Sequence, residues 1–115
     1  MKYDIHELIG ANAITLDDGQ RVFDLIHPHL AAGRAVELDF TRVAVYASPF
    51  FNAALGQLLR DFKPEDLNRQ LRLEGLNPVG RDVAKRVIEN SKQYYSSEDY
   101  RRAQHEVLER LAKET

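Results

Sequence analysis

The fold is decided by a stretch in the middle of the chain, Val36-Glu37-Leu38-Asp39-Phe40-Thr41-Arg42-Val43-Ala44-Val45-Tyr46-Ala47-Ser48-Pro49. Apolar and acidic side chains alternate over residues 36–40, which is the pattern of a half-buried strand. Thr41-Arg42 predicts a turn, and residues 43–46 continue mostly apolar after it. Ser48-Pro49 predicts a helix start, because serine caps helices and proline is favoured at the first helical position.

The chain after this stretch predicts two further helices around one strand. The helix that begins at Ser48 carries an apolar face and should end at Phe62-Lys63-Pro64, because proline cannot continue it. Residues 71–76 alternate as a strand does, and Asn77-Pro78 repeats the cap-plus-proline start. The apolar positions of the two helices are Phe51, Ala54, Leu55, Leu58 and Leu59 in the first, and Val79, Val83, Val87 and Ile88 in the second.

The chain before this stretch predicts one strand and one helix. Residues 3–9 alternate loosely and predict a strand that Gly10 ends. Asp17-Asp18 predicts a helix start, since aspartate accepts hydrogen bonds from the free N–H groups of a first turn. We expect Pro28 to bend or break this helix and Gly33 to close it. Strands alternating with helices predict an α/β domain over residues 1–96, with an amphipathic helix over residues 97–115 in the same compact unit.

The composition narrows the class of protein. The 115 residues are 43% hydrophobic and 30% charged, as in a folded domain. The chain has no cysteine, which excludes disulfides and cysteine chemistry. Sixteen basic residues against eighteen acidic ones argue against nucleic-acid binding. The polar N-terminus and the lack of a long apolar run lead us to expect a cytoplasmic protein without membrane contact.

No group of residues indicates catalysis. Asp39 lies at a strand end, where α/β folds often place functional groups, but an aspartate that braces the following turn is the simpler interpretation. His27 and His29 would point to different faces of a helix and share no metal unless Pro28 unwinds the segment. We therefore expect no enzyme, and no catalytic residue, cofactor or metal.

Most of the chain resembles a known family of bacterial domains. The residues that carry the resemblance are Val36-Glu37-Leu38-Asp39-Phe40-Thr41-Arg42-Val43 and Ser48-Pro49-Phe50-Phe51-Asn52-Ala53-Ala54-Leu55-Gly56, followed by Leu71-Arg72-Leu73-Glu74-Gly75-Leu76 and by Val87-Ile88-Glu89-Asn90-Ser91 with Tyr94-Tyr95. Over residues 14–96 the chain is similar to the STAS-like family of uncharacterised domains, distant relatives of the anti-sigma-factor antagonists. The resemblance implies a STAS-like mixed sheet with helices packed mainly on one side.

The resemblance also implies a regulatory protein-interaction module. In the antagonists, the strand–loop–helix junction carries a phosphorylatable serine and docks on a histidine-kinase-like ATP-binding protein. By position that serine is Ser48, and the implied partner-binding residues are Ala47, Ser48, Pro49, Phe50 and Asn52. This chain has Ala47-Ser48-Pro49-Phe50-Phe51 where the antagonists show Asp-Ser-Ser-Gly-Leu, so Ser48 is either a regulated serine or only a helix cap.

The two neighbouring phenylalanines of this junction bear on the same question. Helical spacing is expected to bury one of the rings of Phe50 and Phe51 and to turn the other at least partly toward the surface. Phe50 would then anchor a partner, although packing on a neighbouring helix explains it equally well.

Two alternatives stay open. A small-molecule or nucleotide-sensing STAS domain would contact its ligand through Asp39, Thr41 and Arg42 near the strand ends. The helix over residues 97–115 would, in the other alternative, pair with a second copy of the chain and form a homodimer.

Overall fold

The computed structural model describes residues 1–96, in which short strands alternate with helices. The strands are β1 (Lys2–Asp4), β2 (Asn12–Ala13), β3 (Val36–Asp39), β4 (Val45–Tyr46) and β5 (Leu71–Glu74). The helices are α1 (Ile5–Ile9), α2 (Leu16–Ala31), α3 (Ser48–Phe51), α4 (Leu58–Asp61), α5 (Pro64–Gln70) and α6 (Pro78–Ser96), with a π-helical segment (Asn52–Gly56) between α3 and α4. The predicted α/β class is confirmed. The helix predicted over residues 97–115 lies outside the described residues.

The strands form two small sheets. A three-stranded sheet has the order β1-β3-β5, and a two-stranded sheet pairs β2 with β4. Both β1 and β5 run parallel to β3, and β2 runs parallel to β4. The resemblance implied a mixed sheet, whereas every strand pairing within residues 1–96 is parallel.

The two faces of the three-stranded sheet differ sharply in polarity. Tyr3, Leu38 and Leu73 lie in register across one face, and Val36 pairs with Leu71 on the same face. All of the side chains on the opposite face are charged, namely Lys2, Asp4, Glu37, Asp39, Arg72 and Glu74. Because only the first face is apolar, the core forms there, and the helices pack mainly on that side as the resemblance implied.

The first strand is shorter than residues 3–9, so that prediction was wrong beyond Asp4. Asp4 accepts a hydrogen bond from the backbone N–H of Glu7 (3.3 Å) and caps α1, which buries Ile5. Gly10 ends this helix with φ +86°, a left-handed value that glycine adopts without strain. The helix cap at Asp4 therefore ends the strand, although the alternating pattern continues beyond it.

The cap of the second helix lies two residues before the predicted Asp17. Thr15, and not Asp17-Asp18, is its cap, because the Thr15 hydroxyl accepts from the backbone N–H of Asp18 (3.1 Å). Both aspartates lie in the first turn, where the helix dipole favours carboxylates. Pro28 was expected to bend or break the helix, and the break was wrong, because α2 continues past Pro28 to Ala31.

The rest of the fold follows the predicted boundaries more closely. The helical run from Ser48 ends at Asp61, and Phe62 is extended as expected. The strand predicted at residues 71–76 is β5, and Asn77 caps α6 by accepting from the backbone N–H of Gly80 (2.8 Å). Helix α5 was not predicted.

Candidate protein-docking site

The junction between β4 and α3 places Ser48 at the surface. Ala47, which is extended at φ −142° and ψ 153°, occupies the cap position, and no side chain caps α3. Ser48 and Pro49 are the first two helical residues, and both are exposed. The interpretation of Ser48 as the helix cap is therefore wrong, because the backbone turns into the helix one residue earlier.

The expectation that Phe50 is partly exposed was also wrong. Phe50 and Phe51 both have 0% of their surface exposed. The backbone of Phe50 lies directly under Gly19 of α2, while the Phe51 ring stacks on Tyr46, with centroids 5.8 Å apart and planes at 7°. Helix α2 covers Phe50 and Tyr46 of β4 covers Phe51, so neither ring is available to anchor a partner.

Asn52 begins the π-helical segment and is exposed. The backbone N–H of Gln57 donates to the carbonyl of Asn52 (3.2 Å), the wider spacing of a π turn. Directly after Asn52 the segment is buried, with Ala53, Ala54 and Leu55 in the core. The junction therefore offers polar surface at Ser48 and Asn52, while its aromatic rings stabilise the interior.

Exposed apolar side chains lie on the outer face of the small sheet, next to the strand end that leads into Ser48. The backbone N–H of Ala47 donates to the carbonyl of Ala13 (3.0 Å), so Ile14 lies beside Ala47. Side chains alternate along both strands, and Ile14 and Val45 therefore point outward, with 39% and 47% of their surface exposed. We call Ile14, Val45, Ala47 and Ser48 the junction patch.

The start of α6 lies at the border of this patch. The side-chain amide of Asn77 donates to the carbonyl of Ala44 (3.1 Å), and Gly80 packs against the ring of Tyr46. Val79, between them, is exposed. Helix α6 therefore extends the surface around the junction patch and fixes the position of the buried Tyr46 beneath it.

The strand-end residues of the ligand-sensing alternative are engaged with near neighbours. One carboxylate oxygen of Asp39 accepts from the backbone N–H (2.9 Å) and the hydroxyl (2.6 Å) of Thr41. The Thr41 hydroxyl, and next its N–H, hold the pKa of Asp39 below its ordinary value. Arg42 points to Asp4 instead, with its guanidinium 2.9 Å from that carboxylate. Asp39 thus braces the turn, and the three side chains do not converge on one point.

The two neighbouring histidines of α2 point to different surroundings. His27 lies 3.1 Å from the carboxylate of Asp61, between the rings of Phe23 and Phe62. His29 lies on a different side of the helix, where it forms a hydrogen bond with the hydroxyl of Tyr3 (3.0 Å). Among the residues from 1 to 96, no three metal-ligating side chains of the histidine, cysteine, aspartate or glutamate type lie close enough to hold an ion.

These features define an α/β domain with parallel strands and an exposed strand–helix junction. The family model of the STAS-like domain of unknown function (DUF4325) matches residues 18–81. The chain therefore belongs to this STAS-like family, as the motifs around residues 36–56 indicated. No curated protein and no solved structure matches the chain. None of the helices in the described part of the chain has the length and apolar content needed to cross a bilayer.

Proposed function

We propose that this domain is a non-enzymatic regulatory module that binds another protein through the junction patch, and that phosphorylation of Ser48 controls the binding. The observation that carries the proposal is that Ile14 and Val45 are exposed on the same face of the two-stranded sheet, whose end leads directly into the exposed Ser48. Exposed apolar side chains that adjoin one another are typical of surfaces that proteins use for docking. The resemblance to anti-sigma-factor antagonists supports a histidine-kinase-like ATP-binding protein as the partner.

The chemistry of the patch explains how one phosphate would act. Burying a fully exposed valine or isoleucine contributes roughly 1.5–3 kcal/mol. Because only 39% of Ile14 and 47% of Val45 is exposed, covering both would supply roughly 1–3 kcal/mol in total. A phosphate on Ser48 adds nearly two negative charges at the edge of that contact. Since a charge within an apolar interface must lose its water, phosphorylation of Ser48 would release the partner.

A site-specific crosslinking experiment tests the proposal. A photoreactive phenylalanine analogue replaces Val45 in the full chain expressed in its native host, and the adduct is identified by mass spectrometry. The matched control carries the same analogue at Arg72, which is exposed on the charged face of the sheet. We expect one dominant protein adduct from position 45 and none of that protein from position 72.

Variants of the patch then separate docking from folding. Ile14→Asp should remove the adduct, and Ser48→Asp should weaken it strongly while Ser48→Ala leaves it unchanged. All of these side chains are exposed, so the circular dichroism spectrum should stay the same. Equal adducts from positions 45 and 72, or equal yields from Ser48→Asp and Ser48→Ala, would overturn the proposal.

A further inference from the structure

Strand β5 has a free edge. It is the last strand of the order β1-β3-β5, so no strand within residues 1–96 pairs with its outer side. The backbone N–H of Phe40 donates to the carbonyl of Glu74 (2.7 Å), which shows that Glu74 faces β3. Because neighbouring residues of a strand direct their backbone groups to opposite sides, the N–H and C=O of Leu73 point outward. A free edge of this kind can accept another strand.

An apolar groove runs beside this edge. One concavity of about 430 Å³ lies between the end of β5 and α6, where it is lined by Leu73, Leu76, Ala84 and Ile88 among others. A second, of about 230 Å³, continues the groove toward α4 and α5, and it shares Leu73, Ile88 and Lys92 with the first. The lining of the second is otherwise almost entirely leucine and proline. A strand added to β5 would point every other side chain into this groove.

The rim of the groove is positively charged. Three basic residues of α6 line the two concavities, namely Arg81, Lys85 and Lys92. Glu89 is the one acidic residue in the same linings. Within the described residues, none of these three cations has an ion-pair partner closer than 4 Å. The excess of unpaired cations on the rim complements an acidic ligand.

We propose that the groove between β5 and α6, hereafter the β5–α6 groove, binds an extended acidic peptide of another protein as an additional strand on β5. Backbone hydrogen bonds to Leu73 would hold the peptide. Because alternate side chains of a strand share one face, the residues that enter the groove would be aliphatic at the centre of the peptide and acidic at its ends, where their carboxylates would lie near Lys85 and Lys92. The groove shares no residue with the junction patch, so this site is separate from the one proposed above and does not depend on it.

Nuclear magnetic resonance on the full chain tests the site directly. The probe is a seven-residue peptide with glutamate at its first and last positions, valine at the third and fifth and threonine elsewhere, so that glutamates and valines share one face of the strand. The matched control peptide has lysine in place of each glutamate. We expect the acidic peptide to shift the backbone amide signals of Leu73 and Gly75 and those along α6. A version N-methylated at alternate residues cannot donate to a strand edge, and it should bind at least about tenfold more weakly.

Charge variants test the role of the rim. The double variant Lys85→Glu and Lys92→Glu should weaken the acidic peptide by about fivefold or more and reverse the preference between the two peptides. Arg86→Glu is the control, because Arg86 is exposed on α6 but does not line the groove. The proposal is overturned if the acidic peptide leaves Leu73 and Gly75 unshifted, if N-methylation has no effect, or if both peptides bind equally.

Discussion

Replacing Gly19 by alanine should destabilise this protein, although the same change usually stabilises a helix. Gly19 lies inside α2, where alanine is better than glycine by about 1 kcal/mol. A Cβ at this position would lie 2.2 Å from the carbonyl oxygen of Phe50 and 2.9 Å from the Cβ of Ala53. Neither atom can swing aside by a rotamer change, so the helices must separate.

The magnitude of the loss follows from these two opposing effects. Overpacking a core costs typically 1–3 kcal/mol, and this contact lies at the upper end because a backbone atom is involved. With the gain in helix propensity subtracted, Gly19→Ala should lower the free energy of unfolding by about 2 kcal/mol. For a chain of this size that corresponds to a fall in Tm of roughly 8 °C.

Urea denaturation followed by circular dichroism measures this change. The chain has no tryptophan, so the helical signal is the better probe. The control is Arg21→Ala, also on α2 but exposed, which should change the free energy of unfolding by no more than about 0.5 kcal/mol. A Gly19→Ala variant as stable as the wild type, or more stable, would refute the argument that α2 and α3 cross in van der Waals contact at this glycine.

Further predictions concern the turn glycines and the acid response. Gly75→Ala should cost more stability than Gly10→Ala, by about 1–3 kcal/mol in chemical denaturation, because both glycines have positive φ but only at Gly75 would a Cβ clash, 2.5 Å from the Thr41 hydroxyl. Equal losses would show that backbone strain alone matters there. The bonds from Arg60, and then His27, lower the pKa of Asp61 against the opposing effect of burial, so its contribution to stability is present above about pH 4 and is lost as the pH falls through the lowered pKa. The difference in urea midpoint between wild type and Asp61→Asn should therefore be present at pH 7 and shrink by pH 3, and a constant difference would contradict the assignment.

The parts of the fold that sequence reasoning predicted are those specified by local patterns. Strands β3 and β5 show alternating side chains, and the structure gives those side chains opposite faces of one sheet. Asn77-Pro78 predicted the start of α6, because an asparagine cap needs only the next three residues to act. The STAS-like family was likewise indicated by contiguous motifs.

The parts that were missed depend on residues far apart in the chain. Phe50 is buried because Gly19 of α2 packs on its backbone. Gly19 precedes Phe50 by some thirty residues, so the spacing of residues within the helix does not reveal this contact. The residues of the candidate site also differ from those predicted. Ile14 was not among the predicted contacts, because only the pairing of β2 with β4 brings it beside Ala47.

The parallel pairing of the strands also affects how the chain folds. Each partner in β1–β3 and in β3–β5 is separated by about 35 residues, and β2 and β4 are separated by a similar distance. No strand pair in this part of the chain is therefore a hairpin that could form early and locally. The closure of long loops must precede sheet formation. This closure is entropically costly, so we expect folding to be slower than that of a helical bundle of the same size. Helix α2 bridges β2 and β3, so its docking on the π-helical segment would shorten the search for both sheets at once.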